Sequence, residues 1–334
     1  MNLRFIEIYH QKGKADEIEV ILKGLPIIET WHYHLEDNME SVTKVLLKSE
    51  STDKVLDTLK GFFSGENEPR IVILPVEATI PRPEEPEEAP DTITQEKTPK
   101  RVGIEELYQK LSGMSEISKK FILMTSLASV VAAIGLLKND VAVIIGSMVI
   151  APLLSPNMAL ALATALADMH LAKKAIKTNI SGFMVVLSIS VLFGLVMNVD
   201  PALPQIASRS DVSHFYIFLA LAAGVAGAYS ITSGVAAALV GVMVAVALLP
   251  PLAASGLLFG GGFFMKGVGA MLLCLVNVVC INLAGVVTFL MEGIQPKEWW
   301  EAKKARKAVK AAITLWIILL SILAFIIYLA QQIQ

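Results

Sequence analysis

Between residues 121 and 296 the chain carries only eleven charged side chains, whereas residues 1–120 hold 39 of its 58 Asp, Glu, Lys and Arg residues. A soluble domain keeps about a quarter of its residues charged. The split therefore excludes a single water-soluble globule and predicts a charged front end joined to a polytopic membrane domain. The formal net charge of −2 offers no basic surface for nucleic acid. Cys274 and Cys280 both lie inside an apolar run, which argues against a disulfide framework or a zinc site.

Seven apolar segments reach the length of about 20 residues needed to cross the hydrocarbon core. They are 119–137, 141–167, 177–198, 213–231, 235–258, 264–291 and 309–331. The first twenty residues lack the basic-then-apolar order of a secretory signal, so the N-terminus is expected in the cytoplasm. Inner flanks then carry Arg101, Lys110, Lys119, Lys120, Lys173, Lys174, Lys177, Lys297, Lys303, Lys304, Arg306, Lys307 and Lys310. Outer flanks carry only Lys138, Arg209 and Lys266. That bias predicts a multi-pass protein of the cell membrane with its C-terminus outside. Trp299 and Trp300 suit an interfacial belt.

The front end, residues 1–80, reads as alternating short elements. Strands are expected at 3–9, 27–35, 41–47 and 70–76, and helices at 14–24 and 52–62, the second capped by Ser51. The order βαββαβ predicts an α+β ferredoxin-like domain. His32 and His34 share a strand face opposite Trp31, Tyr33 and Leu35. Two solvent-side histidines explain the pair; a metal site would need a third ligand such as His10. Residues 81–100 form an acidic Pro-rich tether. Within 101–116, Ile104, Leu107, Tyr108, Leu111 and Met114 make one apolar stripe. That stripe fits an interfacial helix on the membrane or one packed on the soluble domain.

The transmembrane domain, 117–334, contains an internal repeat. Gly146–Ala163 (GSMVIAPLLSPNMALALA) and Gly241–Leu258 (GVMVAVALLPPLAASGLL) agree at eight of eighteen positions at an offset of 95. One span precedes and one follows each copy. Repeat 1 is thus 118–199, repeat 2 is 212–292, and the final span is extra. Compositional likeness of apolar spans is the alternative. Three spans per copy put the second copy upside down relative to the first, an arrangement found in transporters with a site near the midplane.

Pro152 and Pro156 fall in mid-span 2, and Pro250 and Pro251 in mid-span 5. A helix-interior proline removes an N–H and clashes with the carbonyl four residues back. Freed backbone groups in hydrocarbon are costly unless protein or water meets them. Two helices broken in register, with Ser155 and Asn157 at the first break and Ser147 two turns away, predict an ion or polar-solute path. Asn277 joins this set, and Asn282 is expected to hydrogen-bond across helices. Kinked spans whose carbonyls are met by neighbours are the plainer alternative. Gly146, Gly241, Ala253, Ala254 and Gly256 permit close helix approach, and Asp168 is expected as a solvated charge at a span end.

The run GSMVIAPLLSPNMALALATALAD (146–168) resembles the signature of an uncharacterised prokaryotic membrane family, domain of unknown function 389. The resemblance extends from about residue 118 to residue 260. It implies a membrane class and transfers no activity or site residue.

The apolar part holds no carboxylate pair, Ser/His/Asp set, HExxH or phosphate loop, so no enzyme and no cofactor are predicted. The function expected is a transporter or channel for an ion or small polar solute, gated by the front domain. Membrane lipid and a second copy of the chain are the expected partners. The alternative is a membrane-anchored ligand sensor or scaffold without transport.

Overall fold

A computed structural model describes residues 3–11, 14–34, 40–63, 69–76, 79, 103–210, 215–233, 237–295 and 302–333. The side chains of 34, 40, 237–246, 302–306 and 329–333 are also outside the description. The expectations for the 81–100 tether, Leu35, Trp299 and Trp300 therefore fall outside the described residues. The chain divides into two compact units, Met1–Leu107 and Tyr108–Gln334.

In the first unit, the elements follow the order β1 (Leu3–Gln11), α1 (Ala15–Leu22), β2 (Ile27–His34), β3 (Glu40–Lys48), α2 (Thr52–Phe62) and β4 (Arg70–Val76). The four strands form one sheet in the order β2-β3-β1-β4, antiparallel at every pairing. Alternation along β1 puts Ile6 and Ile8 on the face that packs with Val45 and Leu47. Ile18 and Leu22 of α1 and Val55, Leu56 and Leu59 of α2 close this core. Ser51 does not cap α2 with its side chain; a 3-10 turn over Ser49–Ser51 leads into the helix instead.

The histidines lie on the other face of the sheet. β2 pairs with β3 so that His32 lies opposite Thr43, two residues from Val45. That is the helix-covered face, not the open one. His32 Nδ1 and His10 Nε2 lie 3.0 and 2.9 Å from the one Thr43 hydroxyl. Trp31 takes the open face, its ring centroid 5.7 Å from that of Phe5. Among the described residues no group of three or more His, Cys, Asp or Glu is placed to hold a metal ion.

The apolar stripe before the first span forms α3 (Ile104–Met114). Leu107 and Leu111 of that stripe are buried by protein, and Met114 is left open. At its start, within the first unit, Arg4 donates to both carboxylate oxygens of Glu106 (2.8 and 2.9 Å). Asp53 accepts the Ile104 N–H. Farther along, within the second unit, the Tyr108 hydroxyl donates to Asp168 (2.7 Å) and Lys174 to Ser112 (3.2 Å).

Among the described residues, five helices of the second unit are long and apolar enough to cross a membrane. They are α4 (Lys119–Leu137), α7 (Met169–Val196), α9 (Phe215–Ser233), α11 (Phe264–Met291) and, over Lys307–Tyr328, α12 (Ala302–Ile333). The pair α5 (Val141–Ile150) and α6 (Leu154–Leu166), bent by 54°, meets the same criterion only when taken together. A short α8 (Pro204–Ser210) precedes α9, and α10 (Ala237–Gly260) follows it. By length and composition these are the helices of a membrane protein.

Small residues set the tightest helix contacts. A Cβ built on Gly256 of α10 would lie 2.5 Å from the Ser190 Cβ of α7, and one on Gly260 would fall on the Val191 carbonyl oxygen. Gly285 of α11 faces the Ala161 Cβ of α6 in the same way, at 2.9 Å. Gly146, expected among such contacts, has nothing within 4 Å.

Candidate functional site

The first proline-marked span breaks, and it breaks at Pro152. Ala151 ends α5 in an extended conformation (φ −71°, ψ 119°), as the residue before a proline prefers. Pro156 contributes no break. It is the third residue of α6, where a helix N–H has no intrahelical acceptor to lose.

The second span behaves differently from the expectation. α10 runs unbroken through Pro250 and Pro251. Pro251 cannot donate to the carbonyl of Ala247, four residues back. The Asn277 amide of α11 replaces that donor, with Nδ2 2.6 Å from Ala247 O. The adjacent Leu248 carbonyl receives the Cys274 thiol at 3.7 Å. A neighbouring helix thus meets one carbonyl that the prolines free, and neighbours meeting freed carbonyls is the part of the plainer alternative that describes this segment.

Behind the true break lies a cluster of three buried amides. Asn157 Nδ2 donates to Leu153 O (2.8 Å) and to Asn179 Oδ1 (2.9 Å). Asn282 Nδ2 donates to Asn157 Oδ1 (3.1 Å). The cluster ties α6 to α7 and α11. Two of its buried polar atoms, Asn179 Nδ2 and Asn282 Oδ1, have no hydrogen-bond partner among the described residues. Each such atom costs roughly 1–3 kcal/mol when buried unpaired. The unmet Asn179 Nδ2 is a donor and the unmet Asn282 Oδ1 an acceptor, so the cluster can address a guest of either kind without losing its own hydrogen bonds.

A cavity of about 140 Å³ adjoins the second span. Ala247 and Pro251 of α10, Asn277 of α11, and Arg209 and Gln205 of α8 line it. Burial pushes the Arg209 guanidinium below its ordinary value, while Tyr216 works in the opposite sense; the group stays charged at neutral pH. Asn277 and Asn282 stand five residues apart on α11, about 7.5 Å along its axis. The cavity and the amide cluster are therefore one to two turns apart on the same helix.

The remaining expected residues sit outside these two groups. Ser147 is buried, and its hydroxyl donates to Ile144 O (2.6 Å) within its own helix. The Ser155 hydroxyl points to the Met114 sulfur at 3.8 Å, away from the amides. Asp168 is more than a surface charge. It caps α7, accepting from His170 N (2.8 Å) and Leu171 N (3.0 Å). Burial would raise its carboxyl, but the Tyr108 hydroxyl and these two N–H groups outweigh that and hold it below its ordinary value. Asn179, Gln205 and Arg209 were not among the expected site residues. Only Asn179 carried a sequence signal, a lone amide inside an apolar span.

Fold and site together define a helical membrane protein with a small antiparallel α/β unit at its front. Comparison with known proteins gives the family. Residues 148–283 match the domain of unknown function DUF389. The chain is 38% identical over 334 residues to the uncharacterized protein MJ0678 of Methanocaldococcus jannaschii, covering 98% of this chain and 100% of that one. The chain belongs to the DUF389 family. No solved structure matches it.

Proposed function

We propose that the protein is a transporter or channel for an ion or small polar solute, with its path at the break beside Asn157 and continuing past Asn277. In this reading seven spans cross the cell membrane, α5 with α6 forming one and α10 another. The N-terminus is cytoplasmic, and the α/β unit is a ferredoxin-like domain that gates the path.

One observation carries the reading. Gly285 of α11 meets Ala161 of α6, and Gly256 of α10 meets Ser190 of α7. Shifting 161 and 190 by 95 gives 256 and 285, so each contact is the other with the two copies exchanged. Exchange of this kind is what a two-fold relation between repeats requires. The same shift takes Asn179 to Cys274 and Gly182 to Asn277. Asn179 bonds Asn157, and Cys274 bonds Leu248 O, each addressing its copy's proline-marked span. Gly182 lies against Leu153, and Asn277 lies against Ala247, the residue before Leu153's counterpart Leu248. With three spans per copy, such a pair is inverted across the membrane, and a site belongs near the repeat interface. Asn157 and Asn282 bond across that interface, one from each copy.

Flux from proteoliposomes over a panel of ions and polar solutes tests this. Asn157→Ala should reduce it strongly and Ser155→Ala little, since Ser155 points away from the amides. Folded protein that passes nothing across the panel defeats the proposal.

A second reading, a membrane-anchored ligand sensor without transport, draws on the open sheet face. There Lys44 lies 5.7 Å from the Phe5 ring centroid and 5.2 Å from that of Tyr33. Saturable ligand binding to the full chain, lost in Trp31→Ala and unaccompanied by flux, would favour it. Lipid around the spans and a homo-oligomer complete the proposal. Crosslinking in native membranes checks the oligomer.

A further inference from the structure

Arg209 sits beside the cavity with part of its hydrogen-bonding capacity unused. Among the described residues its hydrogen bonds all leave from Nη1, to Gln205 O, to Gln205 Oε1 (2.9 Å) and to Ser208 Oγ (3.4 Å). Among the described residues no carboxylate lies within ion-pair distance of it. Nε and Nη2, which form one flat edge of the guanidinium, have no partner among the described residues. That edge is the one that grips two coplanar oxygens at once.

The surroundings suit an anion. Among the described residues the cavity lining supplies further polar groups in Gln205, Ser208, Tyr216 and Asn277, and no acid. Its volume of about 140 Å³ admits several waters or one small anion with part of its hydration. One guanidinium balances one negative charge, and burying a second would leave it uncompensated.

We propose that the Arg209 cavity binds a small monovalent oxyanion, of the nitrate or formate class, held two-toothed by the guanidinium. The inference deepens the transport reading and rests on it for the site's role: the cavity then selects anions at the mouth of the path. Asp211, two residues on, lies outside the described residues, and the test includes it.

The full-length chain in detergent is titrated with sodium nitrate by calorimetry, with sulfate as balancing salt. One saturable site is expected. Arg209→Gln should raise its Kd at least about tenfold, the effect of losing one charge-assisted pair. Arg209→Lys keeps the charge but not the flat edge. It should weaken nitrate while sparing chloride, and it carries the test if Arg209→Gln does not fold. Asp211→Asn should leave nitrate binding in place. Absent saturable binding, binding indifferent to Arg209, or binding that follows Asp211 instead overturns the proposal. Nitrate binding at Arg209 without flux of any solute keeps the anion site and sinks transport. Flux indifferent to nitrate and to Arg209 does the reverse.

Discussion

Asn277→Ala isolates the interaction that lets α10 survive two consecutive prolines. Pro251 denies the Ala247 carbonyl its helical N–H, and Asn277 Nδ2 at 2.6 Å stands in for it. Removing the amide leaves a buried acceptor unmet, a loss of roughly 1–3 kcal/mol. Ala247 also borders the cavity, where water can reach its oxygen, so about 1 kcal/mol is expected. The decisive measurement is a double-mutant cycle with Pro251→Ala, which restores the missing N–H. In that background Asn277→Ala should cost well under half as much, giving a coupling energy of roughly 0.5–1 kcal/mol. Unfolding midpoints in mixed sodium dodecyl sulfate micelles read the four proteins. Strict additivity would refute the account, because it would mean that the amide and the proline do not act on one carbonyl.

Three further outcomes are expected. Gly260→Ala, whose Cβ would strike the Val191 carbonyl oxygen, should lose about 1–3 kcal/mol by overpacking, while Gly146→Ala, with nothing within 4 Å, should be neutral in the same titration. The Asp168 carboxyl is held below its ordinary value, so its contribution to stability is complete above the ordinary carboxylate range and disappears as pH falls through the lower folded-state value; Tyr108→Phe should move the onset of acid unfolding, followed by circular dichroism, to higher pH. Cysteine at position 209 should react with an impermeant maleimide from outside intact cells and cysteine at position 174 only after the inner face is opened; the reverse pattern would overturn the proposed orientation.

Elements governed by local pattern were legible in the sequence. Alternation over Leu3–Gln11 and the helical spacing of Val55, Leu56 and Leu59 placed the strands and helices of the front unit. The Pro152 stop was legible too, because a proline constrains its own predecessor. What escaped depends on partners distant in sequence. Nothing near Pro250 announces that Asn277, on the next helix, will donate to Ala247. His32 was placed on the wrong side because alternation says which residues share a face, not which face the helices cover. The Asn179–Asn157–Asn282 cluster joins three helices, and Arg209 meets the cavity only because α8 packs against α10 and α11.

The two proline-marked spans differ for a reason that bears on where the protein is soft. In the proposed repeat, position 152 is proline in the first copy, and its counterpart at 95 residues' distance is Ala247. Pro152 ends α5, a new helix starts at Leu154, and Pro156 then falls harmlessly in the first turn. In the second copy no stop precedes Pro250 and Pro251, so the helix must carry them through its interior, and Asn277 makes that tolerable. The counterpart of Asn277 is Gly182, which has no side chain to donate. The first copy therefore lacks the brace that the second has. It leaves a broken helix pair beside an amide cluster with unmet polar atoms, whereas the second copy presents a continuous, braced helix. In the proposed transport reading, the joint at Pro152 is the place for a path to open, with α10 packed against α5 as its wall.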